Sequence, residues 1–211
     1  MISIPQNVQL TAQTLQFLAQ EQQLFIGGEW TNARSGNTFP TYNPANGEII
    51  ATISLADEQD INVAVEAARM AFSKVWYNKV TPAQRANFIW KLAELLERDI
   101  QILMELETLD NGKPLAKAKY DVLGAINHFK YYAGWATKIE GASIPIDAQK
   151  VVYTRKEPLG VVGLIVPWNF PLMIAAWKLA PALACGNCCI LKPAEQTSLT
   201  ALYLGRLVQE A

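Results

Sequence analysis

Apolar positions along the chain fall into two regimes. From Asp57 to Tyr132 they recur every three or four residues, and from Val161 they run together in unbroken blocks. The first regime predicts helices. Asp57 can cap one running to about Phe72, with Ile61, Ala64, Val65 and Ala68 as its apolar stripe. Thr81-Pro82-Ala83-Gln84 starts a second: Thr81 caps, Pro82 suits the first turn, and Gln84 can reach back to the cap amide. Ile89, Leu92 and Leu96 give that helix a buried face. Asp99 starts a third, ended by Asn111-Gly112, and a fourth runs from about Leu115 to Tyr132 or beyond. Ahead of these, Leu24-Phe25-Ile26 leads through Gly27-Gly28 into a returning strand at Trp30. Phe39 to Pro44 is extended, and Ile49 to Ile53 reads as a further strand. Residues 1–22 are polar and Gln-rich, an arm with a short helix.

The second regime predicts a parallel sheet. Val151 to Lys156 reads as a strand with one exposed side. Val161 to Val166 is continuously apolar and rich in β-branched residues, as a strand covered on both faces should be. Pro171 can open a helix, which Pro181 should kink or end early. Gly186-Asn187 closes it, Cys188 to Leu191 forms a second strand, and Thr197 or Ser198 caps a helix still running at Ala211. Strand, helix and strand make a βαβ unit. Ligands of such sheets sit at the carboxyl ends of the strands. Those ends are Pro167-Trp168-Asn169 and Lys192-Pro193-Ala194-Glu195.

Composition narrows the classes of function. Of 211 residues 51% are hydrophobic and 18% charged, which suits a globular core. The net charge of -1, without a basic block, argues against nucleic-acid or acidic-membrane partners. Leu159 to Trp177 lacks charge and is long enough to span a bilayer, but Pro167, Asn169 and Pro171 inside it favour a buried strand and helix. The first basic residue is Arg34, so no charged signal-peptide start is present. The three cysteines cluster between Cys185 and Cys189, an odd set unsuited to a disulfide framework. A reduced, cytoplasmic location is expected.

The dinucleotide glycine fingerprint, the P-loop, the zinc-protease helix motif and the serine-hydrolase elbow are all absent. His128 stands alone, a helix-surface or half-buried residue. Cys185, Cys188 and Cys189 offer a metal pair without a second pair, or a nucleophile without an evident electropositive setting. Small hydrophobes in a buried turn and strand explain them better. Asn169, flanked by Pro167 and Pro171, can be a fixed donor to a developing oxyanion or the cap of the next helix, and on chemistry alone the cap is favoured. Glu195 can accept both hydroxyls of an adenosine ribose and would repel a 2′-phosphate. Lys192 and Glu195 can equally be a solvated pair after a turn.

Longer runs carry a resemblance. Pro167-Trp168-Asn169-Phe170-Pro171, Trp177 to Asn187 and Leu191 to Thr197 closely resemble the aldehyde dehydrogenase superfamily. So do Asn43 to Glu48, Glu107-Thr108-Leu109-Asp110-Asn111-Gly112-Lys113-Pro114 and Tyr131 to Trp135. The likeness is nearest to the tetrameric retinal- and acetaldehyde-oxidising, NAD-dependent branch. It implies an α/β fold of that family: the start of a parallel NAD-binding sheet with flanking helices, plus part of an oligomerisation sheet. Residues 1–22 would be the arm, 23–140 and 157–211 the partial NAD-binding domain, and 141–156 the oligomerisation part. It further implies Asn169 as an oxyanion donor, Lys192 and Glu195 on the adenosine ribose, and Ile165, Val166, Pro167 and Trp168 lining NAD. Phe170, Ile174 and Trp177 would line the tunnel for an aliphatic or aromatic aldehyde. Thr41, Asp110 and Gln196 match a structural cation site of some members, and no catalytic metal is expected. A homo-oligomer, dimer or tetramer, is the family's assembly. The family's catalytic Cys and general-base Glu, and its catalytic domain, match nothing here. The expectation is therefore an N-terminal portion, truncated and inactive by itself. The alternative is a non-catalytic module that pairs with an intact homologue.

Overall fold

The computed structural model describes residues 9–211. Part of the N-terminal arm, residues 1–8, lies outside them. Thr11 caps helix α1 (Ala12–Leu18), and this helix is docked onto the protein body, with Phe17 and Leu18 buried. The latch is Glu105. One of its oxygens accepts from the Thr11 amide at 3.0 Å, the Thr11 hydroxyl at 2.9 Å and the Thr14 hydroxyl at 2.5 Å. Glu105→Ala is expected to cost about 1.5–3 kcal/mol, the usual range for hydrogen bonds to a buried charge. Amide exchange should quicken across residues 12–18 and little elsewhere. Unchanged exchange there would mean that Phe17 and Leu18 alone hold the helix.

Two antiparallel pairs follow, β1 (Leu24–Ile26) with β2 (Glu29–Thr31) and β3 (Thr38–Tyr42) with β4 (Ile49–Ser54). The first turns at Gly27 and Gly28, with φ of 64° and 90°, as a two-residue hairpin demands. Helix α2 (Glu58–Ala71) begins at the expected Asp57, whose capping box is completed by Asp60, and passes through a π-type turn (Phe72–Trp76) into the short α3 (Tyr77–Lys79). Its predicted stripe is only half covered. Ile61 is exposed, because α2 lies along β7 and β8 near their sheet face without a further layer over it. Helix α4 (Pro82–Arg98) has the Thr81/Gln84 capping box, and α5 (Ile100–Asn111) ends on left-handed Gly112. Asp99 precedes α5 without a side-chain cap, its carboxylate being taken by Arg98 and Tyr203. Helix α6 (Leu115–Trp135) is the longest.

The predicted strand at Val151 to Lys156 reduces to β6 (Val152–Tyr153), paired with β5 (Ser143–Ile144) in a hairpin whose side chains are largely exposed. Strand β7 (Val161–Ile165), helix α7 (Pro171–Ala184) and strand β8 (Cys188–Lys192) form the βαβ unit, with β7 and β8 parallel. Two expectations fail here. Helix α7 does not end early at Pro181, which sits in its last turn, so one lost backbone bond is outweighed by a helix buried along most of its length. Strand β7 is not covered on both faces throughout, since Ile165 is 69% exposed at its open end. Helix α8 (Leu199–Glu210) closes the described chain. One core cluster joins α4, α6 and α7 around Leu96, Phe129 and Leu172, and a second joins α1, β4 and α5 around Phe17, Ile50 and Leu106. No helix among the described residues is long and apolar enough to cross a membrane. Leu159 to Trp177 is divided between β7, a turn and α7.

Candidate functional site

The βαβ register sets two strand ends side by side. Ile165 pairs with Lys192, and the Val166 amide donates to the Lys192 carbonyl at 3.0 Å. The opposite end is pinned by Asn187, whose Oδ1 accepts from the Gly160 amide at 3.0 Å. Val166 is buried, whereas Ile165, Pro167, Trp168, Lys192 and Glu195 are exposed at the rim. The Ile165 carbonyl accepts from Lys178 Nζ at 2.6 Å, a contact with no sequence signal. Lys192 Nζ meets Glu195 Oε1 at 2.5 Å, and this bond holds the Glu195 carboxyl below its ordinary range. Both side chains are about half exposed, so the carboxylate remains open to a ligand on its free side.

The cap role favoured for Asn169 on chemistry alone is not what the fold uses. Phe170 occupies the N-cap position of α7, without a side-chain cap. Among the described residues the Asn169 amide makes no hydrogen bond, and the residue is exposed. Its backbone is held instead. The Asn169 carbonyl accepts from Lys113 Nζ at 3.1 Å, and the Trp168 carbonyl accepts from Asn111 Nδ2 at 2.7 Å. The loop is thus fixed from behind while its amide points free, the arrangement an oxyanion donor needs. Asn111 and Lys113 were visible only as part of a longer run of matching residues.

Phe170, Ile174 and Trp177 stand one turn apart on one side of α7 and are partly open. His128, half-buried as expected, continues this aromatic surface, its ring 5.8 Å from Trp177 and 6.0 Å from Tyr132. The cysteines divide. Burial pushes the Cys189 thiol up to about 12 and raises Cys188 as well, which fits packing roles. Cys185 is exposed, contrary to the expectation of a buried turn.

Asp110 and Thr41 do meet, with the Thr41 hydroxyl donating to Oδ1 at 2.8 Å. Oδ2 accepts from the Leu199 amide at 2.9 Å, so Asp110 caps α8 in place of Ser198, whose hydroxyl donates to the Ala194 carbonyl. Gln196 is exposed. The described residues hold no group of three or more His, Cys, Asp or Glu placed to bind a metal ion.

The chain as a whole is similar to known proteins. Human retinal dehydrogenase 2 is 52% identical over 191 residues, covering 89% of this chain and 37% of its own length. An aldehyde dehydrogenase of Emericella nidulans is 49% identical over 188 residues, again 89% of this chain and 38% of its own. The NAD+ complex structure of aldehyde dehydrogenase from Bacillus cereus superposes with a TM-score of 0.95 at 47% identity, covering 97% of this chain and 42% of that one. The chain therefore spans about two-fifths of the length of these relatives. The aldehyde dehydrogenase family matches residues 30–211, and the chain belongs to that family.

Proposed function

We propose that this chain carries the NAD-binding strand ends, one oxyanion donor and one tunnel wall of an NAD-dependent aldehyde dehydrogenase. The observation that carries the reading is the Asn169 loop, pinned through its carbonyls with a free amide beside the β7 and β8 ends. The strand ends fit a dinucleotide. Glu195 offers a carboxylate to a ribose diol, Lys192 offers ammonium donors, and Ile165 to Trp168 form an open apolar rim. The Bacillus cereus relative was solved as an NAD+ complex, which supports NAD as the cofactor. When bound, NAD accepts the hydride that leaves the aldehyde carbon.

The residues' own part follows from their chemistry. A cysteine thiolate from outside these 211 residues attacks the aldehyde carbonyl, and the Asn169 amide donates to the oxygen of the resulting thiohemiacetal. Phe170, Ile174 and Trp177 hold an aliphatic or aromatic aldehyde by apolar contact and exclude water from its far end. Glu195 disfavours a 2′-phosphate and so selects NAD over NADP. Residues 23–140 and 157–211 would belong to the cofactor domain, with 141–156, the exposed hairpin, meeting another subunit of a dimer or tetramer. Three free cysteines suit a reducing, cytoplasmic setting.

The test joins this chain to the remaining part of the Bacillus cereus enzyme, while the 211-residue polypeptide serves as control. The chimera should reduce NAD in the presence of a short aldehyde, and the polypeptide alone should not. Asn169→Ala in the chimera should lower kcat by roughly 10²–10³, the usual cost of one oxyanion donor. A folded chimera that binds NAD but oxidises no aldehyde, or turnover by the 211 residues alone, would overturn the assignment.

A further inference from the structure

The turn between α5 and α6 holds an ammonium with every proton committed. Lys113 Nζ donates to Glu107 Oε1 of α5 at 2.8 Å, to Asp121 Oδ2 of α6 at 2.6 Å and to the Asn169 carbonyl at 3.1 Å. A lysine has three donors, so none is left for water. Its side chain is 11% exposed, and those of the two carboxylates are 0% and 5% exposed. The same ammonium lies 4.9 Å from the centre of the Phe170 ring. One buried cation therefore touches two helices, the oxyanion-donor loop and the first residue of the tunnel wall.

The turn is shaped for this task. Gly112 is left-handed at φ 81°, and a Cβ on it would come within 2.7 Å of Pro44. That conformation sends Lys113 back across the end of α5 while Asn111, on its other side, reaches the Trp168 carbonyl. Charge decides why a lysine is suited here. A charge-assisted bond to a carbonyl is stronger than a neutral one. The cation stays buried only because two carboxylates neutralise it.

We propose that Lys113 is a positioning residue that aims Asn169. By fixing the Asn169 carbonyl it sets the direction in which the side-chain amide leaves the loop, and through the Phe170 ring it sets the adjoining tunnel wall. The proposal rests on Asn169 being the oxyanion donor, but its test does not need turnover.

The readout is the pair of side-chain NH2 signals of Asn169 in the 15N-labelled 211-residue chain, identified by their loss in Asn169→Asp. Lys113→Met should shift or broaden that pair together with the backbone amide signals of Trp168 to Phe170, whose peptide planes it frees. Lys113→Arg should restore part of both. The internal control is Asn187, at the other end of the same βαβ unit, whose NH2 signals should stay in place. Because Lys113→Met strands two buried carboxylates, the series is repeated with Glu107→Gln and Asp121→Asn added. An unmoved Asn169 pair in that folded triple variant would overturn the proposal. Equal movement at Asn169 and Asn187, or failure of the triple variant to fold, would do so too, since the lysine would then be holding α5 on α6 and not aiming a loop. A chimera that binds NAD but does not oxidise aldehyde would sink the functional reading and leave these signals unaffected.

Discussion

Phe129→Ala is expected to destabilise the protein by about 3–5 kcal/mol, the range for emptying a well-packed aromatic site. Phe129 is 0% exposed and lies in the cluster where α6 meets α4 and α7. Removal of the ring leaves a void that neighbours such as Leu96, Leu172 and Ala176, themselves fully buried, cannot fill without moving a helix. With domain stabilities usually about 5–15 kcal/mol, such a loss brings the chain close to unfolding near body temperature. Denaturant titration checks it, with Tyr120→Ala as control. Tyr120 is 71% exposed on the same helix, and its truncation should change stability by no more than about 0.5 kcal/mol. A loss under about 1 kcal/mol at Phe129 would show that α6 can slide to close the gap. The consequence reaches the site, because α7, which carries Phe170, Ile174 and Trp177, rests on α6 through this cluster.

What could be read in advance follows from how far apart the interacting residues are. The caps at Asp57 and Thr81 have partners three residues away, so their chemistry is written locally. The βαβ unit announced itself because strand, helix and strand are contiguous and their patterns differ. Asn169 was ambiguous for the opposite reason. Whether it caps α7 or faces a ligand depends on which groups take the Trp168 and Asn169 carbonyls, and those groups are 57 and 56 residues earlier. Ile61 illustrates another limit. Periodicity shows that a face is apolar but not that something covers it, and Ile61 is left exposed. Pro181 misled because a local cost was judged without the burial that offsets it. The family resemblance implies a ribose-binding role for Lys192 and Glu195 that spacing left open, yet it implies none for Asn111 or Lys113, whose contacts appear only in three dimensions.

The Asp110 carboxyl should make the protein less stable as pH rises from about 4 to about 7. Asp110 is buried, and desolvation pushes its pKa from 3.8 up to about 7 against the bonds from Leu199 and Thr41, with Glu107 adding repulsion. The folded state therefore binds a proton that the unfolded state has released, and linkage requires stability to fall with pH across that window. At about 1.4 kcal/mol per pKa unit, the change is on the order of 4 kcal/mol once Asp110 is fully ionised. Glu107, also raised by burial, slopes the same way. Asp99, held low chiefly by its hydrogen bond from Arg98, acts oppositely: its contribution is lost only as pH falls below the ordinary carboxylate range. The isolating comparison is Asp110→Asn. An amide can still accept from the Leu199 amide and can donate to Thr41 Oγ1, but it has no proton to lose. Near pH 5 the variant should match or fall slightly below the parent. Near pH 8 it should be the more stable of the two by a few kcal/mol, because the parent alone then carries an ionised, buried carboxylate. Denaturant titrations of both proteins at the two pH values give the difference directly. Parallel pH slopes would show that Asp110 is not the group that titrates. The stakes are local as well as global. Asp110 joins β3 to the start of α8, directly after the turn that bears Glu195, so its ionisation bears on how that helix begins.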